Sequence, residues 1–433
     1  MPAGRPLHER DRLAPGFAGA RVQNVTMTPG APGGATSDVP GGTAAATAVP
    51  ARALRVLLFA ERQGDAASGD SSYAEALLAD PPPGVSYTTY DEALRDGTLR
   101  VRGEKPWRRP IPGDLAIYGI RSVESLLRRG VIFREPYWFV SIDGSSFDLV
   151  HQHLFAVRQI GSSVPVVSGA GYPLPELYRA RERWSEPHLR LALAIESAAS
   201  RLLDVHVPWL RPTSGAVMTV YTEHFRQWLL ERGADPDRVQ VVSTALGDLG
   251  LTPKASDGRT LAFIARDFQL KGGDVALAAL RRLRESDPSW RLLVVTSSAA
   301  AERYVKPEPG IELVIDPPRE AVLRDLLPQI DILLAPTRSD GGVPYAVLEA
   351  LQAGICVVTS EVPWLDLRLQ SPAVTRVPAT ADAVAAAVGQ LVGQDLRGAQ
   401  VAARELWRRE LSMEQLHPLL LNAYGAALRA HRA

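Results

Sequence analysis

Short apolar runs recurring between helical stretches are the feature that most limits how this chain can fold. Leu54 to Ala60 is such a run. Gly64 to Ser72 follows as a small-residue loop, and Ser71 to Leu78 has helical character. Further runs lie at Leu115 to Tyr118, Trp138 to Ile142, Val164 to Val167 and Ala216 to Tyr221, with helical segments at Leu189 to Leu203 and Glu223 to Arg232. Runs too short for buried helices, separated by helical stretches, predict a mostly parallel sheet covered on both faces.

A second series starts after the polar stretch Leu251 to Arg259, which carries Pro253 and Gly258. Strands are expected at Leu261 to Ala265, Arg291 to Thr296, Ile311 to Ile315, Ile332 to Ala335 and Ile355 to Thr359. Helices are expected at Asp274 to Glu285, Arg319 to Leu327 and Tyr345 to Ala353. This is a second doubly wound sheet. His417 to Arg429 reads as an amphipathic helix with Leu419, Leu420, Ala423, Tyr424, Ala427 and Leu428 along one side. The expected organisation is a disordered leader over 1–50, one α/β domain over 51–250, a second over 255–410, and a final helix over 411–433 returning to the first domain. Ligands of such sheets bind outside the carboxyl ends of the strands, so the cleft between the domains is the expected site.

Composition narrows the function. With 433 residues and 46% hydrophobic content, there is apolar material for more than one core. Lys plus Arg equals Asp plus Glu at 48 each, so no overall charge draws the protein to nucleic acid. The single cysteine, Cys356, excludes an internal disulfide framework and a cysteine-built zinc site, and its apolar strand makes it a buried hydrophobe. No run reaches the ~20 apolar residues of a membrane span, and the N-terminus lacks a signal-type apolar core. A cytoplasmic location is expected. Arg95 to Arg134 mixes Arg100, Arg102, Lys105, Trp107, Arg108 and Arg109 with few acids. That mixture suits a solvated face, or peripheral contact with the inner membrane face.

Two segments of the second domain carry chemistry. In Phe263 to Asp274 a strand ends near Arg266, and Lys271 precedes Gly272 and Gly273, which open a helix. An Arg fork, a Lys point charge and a helix N-terminus together suit a diphosphate, although two solvated cations beside a turn would read alike. In Ser339 to Gly354, Gly341, Gly342, Val343 and Pro344 form a loop able to approach an anion, with Pro344 suited to the first helical position. Glu349 lies about one turn into the helix that follows, where a carboxylate can accept two ribose hydroxyls or simply favour the helix dipole.

Together these segments resemble the donor half of retaining GT-B glycosyltransferases, specifically glycosyltransferase family 4. Arg266 and, five residues on, Lys271-Gly272 match the family's cation spacing, and Glu349, Ala350, Ala353 and Gly354 match the second half of its Glu, seven residues, Glu signature. The resemblance covers nearly all of 255–410. It implies two Rossmann-like domains facing a central cleft. It assigns Arg266 and Lys271 to the donor diphosphate and Glu349 to the nucleotide ribose. Arg266, Lys271 and Asp340 are therefore the catalytic candidates, and Gly341, Gly342, Val343 and Pro344 join them in donor binding. At the first Glu the spacing falls on Gly341, with Asp340 one residue early.

The first domain matches more loosely. Asp148-Leu149-Val150-His151-Gln152-His153 resembles the family's Asp-x-x-His-x-His strand, and Gly64 to Ser72 stands where the family has a Gly-rich loop. Gly69, His151, His153 and Tyr172 are the acceptor-side candidates. Many members carry a His after the next strand, and Ser168-Gly169-Ala170-Gly171-Tyr172 has none. The implied partners are a nucleotide sugar and an acceptor that is a glycan, a lipid-linked sugar or a small molecule. No metal and no other cofactor is implied. Two other readings stay open: a noncatalytic nucleotide-sugar-binding protein and a sugar-nucleotide epimerase.

Overall fold

Central strands of parallel sheets are covered on both faces, and in Leu149–His153, Val166–Ala170 and Cys356–Ser360 every residue, polar ones included, is buried. The computed structural model describes residues 52–60, 69–101, 137–142, 145–153, 156–161, 164–171, 216–251, 258–297, 299–362, 365–366 and 368–432, with scattered positions between 185 and 201. The expected leader over 1–50, the run Leu115 to Tyr118, Tyr172 and most of the basic stretch after Arg100 lie outside them.

The first sheet contains β1 (Leu54–Phe59), β2 (Val85–Thr89), β5 (Leu149–His153), β7 (Val166–Ala170), β8 (Ala216–Val220) and β9 (Val239–Val241). Its order is β2-β1-β5-β7-β8-β9, every pair parallel. Three other strands, β3 (Leu99–Val101), β4 (Tyr137–Ile142) and β6 (Ala156–Gly161), form a separate sheet in the order β3-β4-β6. The apolar run at Trp138 to Ile142 thus belongs to this side sheet. Its first partner, β3, runs antiparallel to it, a pairing that the run's own residues do not specify.

The second sheet is built from β10 (Thr260–Ile264), β11 (Arg291–Thr296), β12 (Ile311–Ile315), β13 (Ile332–Ala335), β14 (Cys356–Ser360) and β15 (Val374–Val377). Its order, β12-β11-β10-β13-β14-β15, is the doubly wound 3-2-1-4-5-6 pattern, whose switch point lies between β10 and β13. The helix expected at Arg319 to Leu327 is instead three short pieces, α-helical, π-type and 3₁₀, ending at Gln329. Pro328 lacks an amide hydrogen and stands inside the last of them.

Four helices matter for the site: α1 (Gly69–Ala79) after β1, α2 (Gly273–Ser286) after β10, α3 (Tyr345–Gln352) after β13, and the final α4 (Met413–Arg432). Leu416, Leu420, Ala423, Tyr424 and Ala427 of α4 are buried in one cluster with Val56, Leu58, Tyr73 and Val167 of the first half. Leu419 does not share that face and is 39% exposed. Between the sheets, Gln352 of α3 donates to Gly247 O at 2.8 Å and accepts from Leu249 N at 2.7 Å, tying the connecting segment to the second half. Cys356 is fully buried, and that burial pushes its thiol up to about 12, so it is an inert apolar side chain.

Candidate functional site

The loops after β10 and β13 leave neighbouring strands at the switch point, which is why residues 266–271 and 336–344 meet. Their meeting depends on Gly272. It caps α2 with a left-handed backbone, φ +79, and a Cβ there would stand 2.0 Å from the carbonyl oxygen of Pro336. Gly273 sits under the Phe268 ring, and a Cβ on it would come within 2.3 Å of that ring. Gly272 lets the start of α2 come this close to the β13 loop, and Gly273 makes room for the Phe268 ring of the preceding loop.

Lys271 and Asp340 face each other across that contact. Lys271 Nζ lies 2.7 Å from Asp340 Oδ2 and donates to Ser339 O at 3.3 Å. Asp340 Oδ1 accepts from Gly341 N at 3.1 Å. Both oxygens of Asp340 are therefore engaged, Oδ2 by Lys271 of the neighbouring loop and Oδ1 by the amide that follows it. Arg266 is exposed at the start of the loop after β10, its carbonyl accepting from Thr296 Oγ1 at 3.2 Å. Arg338 is a further cation beside these loops; its guanidinium grips both oxygens of Asp274 at 2.8 and 2.7 Å.

Gly342, Val343 and Pro344 complete the loop. Gly342 is also left-handed, φ +70, and a Cβ there would meet the Tyr221 ring at 2.8 Å. Val343 is buried and exchanges two hydrogen bonds with Thr244, whose Oγ1 donates to its carbonyl at 2.8 Å and accepts from its amide at 3.1 Å. Pro344 is the cap residue before α3, with extended backbone, so the first helical position belongs to Tyr345. Glu349 is 7% exposed, and both bonds from Arg319, Nη2 at 2.9 Å and Nε at 3.3 Å, fall on Oε1. Arg319 Nη1 also donates to Glu75 of α1 at 2.7 Å. Burial raises the Glu349 carboxyl above its ordinary range, Arg319 opposes that, and Glu75 adds to it.

In the first half, the expected acceptor-side histidines are enclosed. His151 is 0% exposed; its Nδ1 lies 2.8 Å from Tyr424 Oη, itself 2.7 Å from Tyr87 Oη. It packs against the returning helix rather than the cleft. Burial, with His153 beside it, lowers His151 to about 3, so the ring is neutral. Its unfolded value is the ordinary 6.5, so between these values the unfolded chain binds the extra proton. Stability should then fall as pH drops from 6.5 towards 3, by at most about 1.4 kcal/mol per pH unit. Urea midpoints at pH 7.5 and 5 check this, and His151→Asn should flatten the difference.

His153 is 1% exposed, stacks on Tyr73 with ring centres 4.4 Å apart, and lies 3.0 Å from Tyr221 Oη through Nε2. Packed rings account for the two glycines in and just past β7, Tyr221 for Gly171 and His153 itself for Gly169. A Cβ at Gly171 would stand 2.8 Å from the Tyr221 ring, and one at Gly169 would stand 2.9 Å from His153 Nδ1. The same ring packs under Gly342, so Tyr221 is wedged between the halves. Gly69 begins α1. Tyr172 lies outside the described residues.

Residues 258–394 match the family model described as glycosyl transferases group 1, the stretch that holds both loops. A glycosyltransferase from Rickettsia africae ESF-5 superposes with a TM-score of 0.55 at 14% identity, over 87% of this chain and 99% of that one. Sucrose-phosphate synthase from Thermosynechococcus elongatus gives 0.57 at 13%, over 87% and 100%. Anabaena HepE in complex with UDP-glucose gives 0.55 at 10%, over 86% and 100%.

The architecture is GT-B. At these identities the likeness of the structures carries the fold, and the family match is confined to residues 258–394. No curated protein matches the chain significantly. Among the described residues no three His, Cys, Asp or Glu side chains gather into a metal-type cluster, and no helix is long and apolar enough to cross a membrane.

Local sequence does not single out Arg319, Glu75 or Tyr221. Arg319 is 30 positions from Glu349 and 244 from Glu75, and nothing nearby distinguishes it from the chain's other arginines. Its one signal is its place just after β12, at the carboxyl end of a strand of the site-bearing sheet.

Proposed function

We propose that this GT-B chain is a retaining glycosyltransferase that moves a sugar from a nucleoside-diphosphate sugar to an acceptor hydroxyl. The observation that carries this reading is the meeting of Lys271 and the 339–344 loop at the sheet's switch point, with Glu349 one turn into the helix that follows. The bond between the anomeric carbon and the diphosphate oxygen breaks as the acceptor oxygen bonds to that carbon. The acceptor's proton passes to the departing phosphate oxygen, and attack from the departing face keeps the anomeric configuration. Negative charge grows on the diphosphate during this step, so Lys271 and Arg266 stabilise the transition state more than the ground state. The nucleotide ribose falls to Glu349.

A second reading, nucleotide-sugar binding without transfer, is favoured by two observations. Asp340 is committed to Lys271, and Tyr221 fills the space over Gly171. A thermal-shift screen with UDP, GDP, ADP and dTDP and their sugars separates the readings in two steps. UDP and UDP-glucose are the first probes, since HepE is described in complex with each. One diphosphate should raise the melting temperature by mass action. Incubation of its sugar with a range of acceptor alcohols should then release the diphosphate and give a product of unchanged anomeric configuration by NMR. Binding with no release under any acceptor supports the second reading, and a product of opposite configuration contradicts retention.

A further inference from the structure

The guanidinium of Arg319 joins two carboxylates from different halves of the molecule. It gives Nε and Nη2 to Glu349 Oε1, at 3.3 and 2.9 Å, and Nη1 to Glu75 Oε2 at 2.7 Å. The Glu349 side chain is 9% exposed, against 25% for Arg319 and 47% for Glu75, so the pair with Glu349 is the more enclosed. Among the described residues no donor reaches Glu349 Oε2. A buried carboxylate left without a cation would protonate, and a protonated carboxyl loses acceptor capacity for a diol.

We propose that Arg319 is a positioning residue for ribose recognition: it fixes Glu349 through Oε1, keeps it ionised, and leaves Oε2 to accept from a ribose hydroxyl of the bound nucleotide. Glu75 holds the far side of the guanidinium from α1, so the fork that orients Glu349 is itself oriented by the first half. Arginine suits this role because its planar donors serve two carboxylates at once, whereas lysine offers a single point charge. The charged groups facing Glu349 are Arg319 and, behind it, Glu75. The inference rests on the proposed nucleotide site and assigns it a determinant of ribose recognition.

The test is calorimetric titration of the full chain with UDP, GDP and ADP, followed by the 2′,3′-dideoxy form of whichever binds. Wild type should bind the ribonucleotide about tenfold more tightly than the dideoxy form, equivalent to about 1.4 kcal/mol. Arg319→Gln should lose about tenfold for the ribonucleotide, bind the two forms nearly alike, and regain affinity as pH rises from 6 to 9, because its Glu349 now titrates upward. Arg319→Lys should keep the charge and recover part of the discrimination at pH 8. In a Glu349→Gln background, Arg319→Gln should add little, as expected of residues acting through one another. Equal losses for both nucleotide forms, or additive losses in the double variant, overturn the positioning role while leaving the nucleotide site intact. Failure of wild type to bind any of the three diphosphates overturns the site and this inference with it.

Discussion

Lys271→Ala should lower turnover about a hundredfold with the donor that the screen identifies. Loss of one group that stabilises developing negative charge typically costs about 3 kcal/mol of transition-state binding, and that converts to roughly this factor. Lys271, on the loop after β10, is held by two groups of the loop after β13, Asp340 at 2.7 Å and Ser339 O at 3.3 Å. Its side chain is 29% exposed, enclosed enough to act strongly and open enough to meet a ligand. Arg266→Ala should act in the same direction on an exposed side chain. Asp340→Asn separates two roles: it releases Lys271 from its partner, so diphosphate affinity should hold or rise, whereas turnover should fall if the carboxylate also serves the sugar. Steady-state kinetics beside direct binding measurements report both outcomes.

Gly272→Ala should be the most destabilising single methyl in the second half. A left-handed backbone costs an L-residue roughly 1–2 kcal/mol, and overpacking against rigid atoms costs roughly 1–3 kcal/mol more. Here the rigid atom is the backbone oxygen of Pro336, 2.0 Å from the new Cβ, so the β13 loop must move. A loss of about 3 kcal/mol or more is expected from urea unfolding, and the displaced loop should weaken nucleotide binding in whatever fraction still folds. Gly389→Ala is the control. Nothing lies within 4 Å of a Cβ there, and Gly389 is in the helix Ala381–Gly393, so the same chemical change should stabilise by about 0.5–1 kcal/mol. Equal responses at the two positions would contradict the packing argument.

The elements legible in the sequence are those specified by local pattern. Arg291–Thr296 and Ile332–Ala335 coincide with their apolar runs because burial on both faces requires such runs, and Ile311–Ile315 coincides with its run as the half-buried edge strand of the same sheet. Lys271-Gly272 is legible for a related reason: a left-handed cap beside a cation is a local device. Partnerships across the chain are not legible. Asp340 reads as a displaced sugar-side acid until Lys271 is seen 2.7 Å away, and Glu349 reads as a lone carboxylate until Arg319 arrives from another loop. His151 and His153 read as acceptor-side candidates in the sequence, yet Tyr424 from the far end of the chain and Tyr221, just past β8 and two strands away, enclose them. The glycines at 169 and 171 look like a missing histidine in sequence, and in space they are room made for the His153 and Tyr221 rings.

The central claim is that the Lys271 notch grips a diphosphate while Glu349 holds its ribose. Equilibrium titration of the full chain with UDP, GDP and ADP, repeated on Lys271→Ala and Glu349→Gln, tests it most directly. One diphosphate should bind wild type at one site per chain. The alanine variant should lose affinity equally for ribo and dideoxy forms, and the glutamine variant should lose the preference for ribose. A wild-type chain that binds none of the three, or binds one with neither substitution affecting it, would contradict the account.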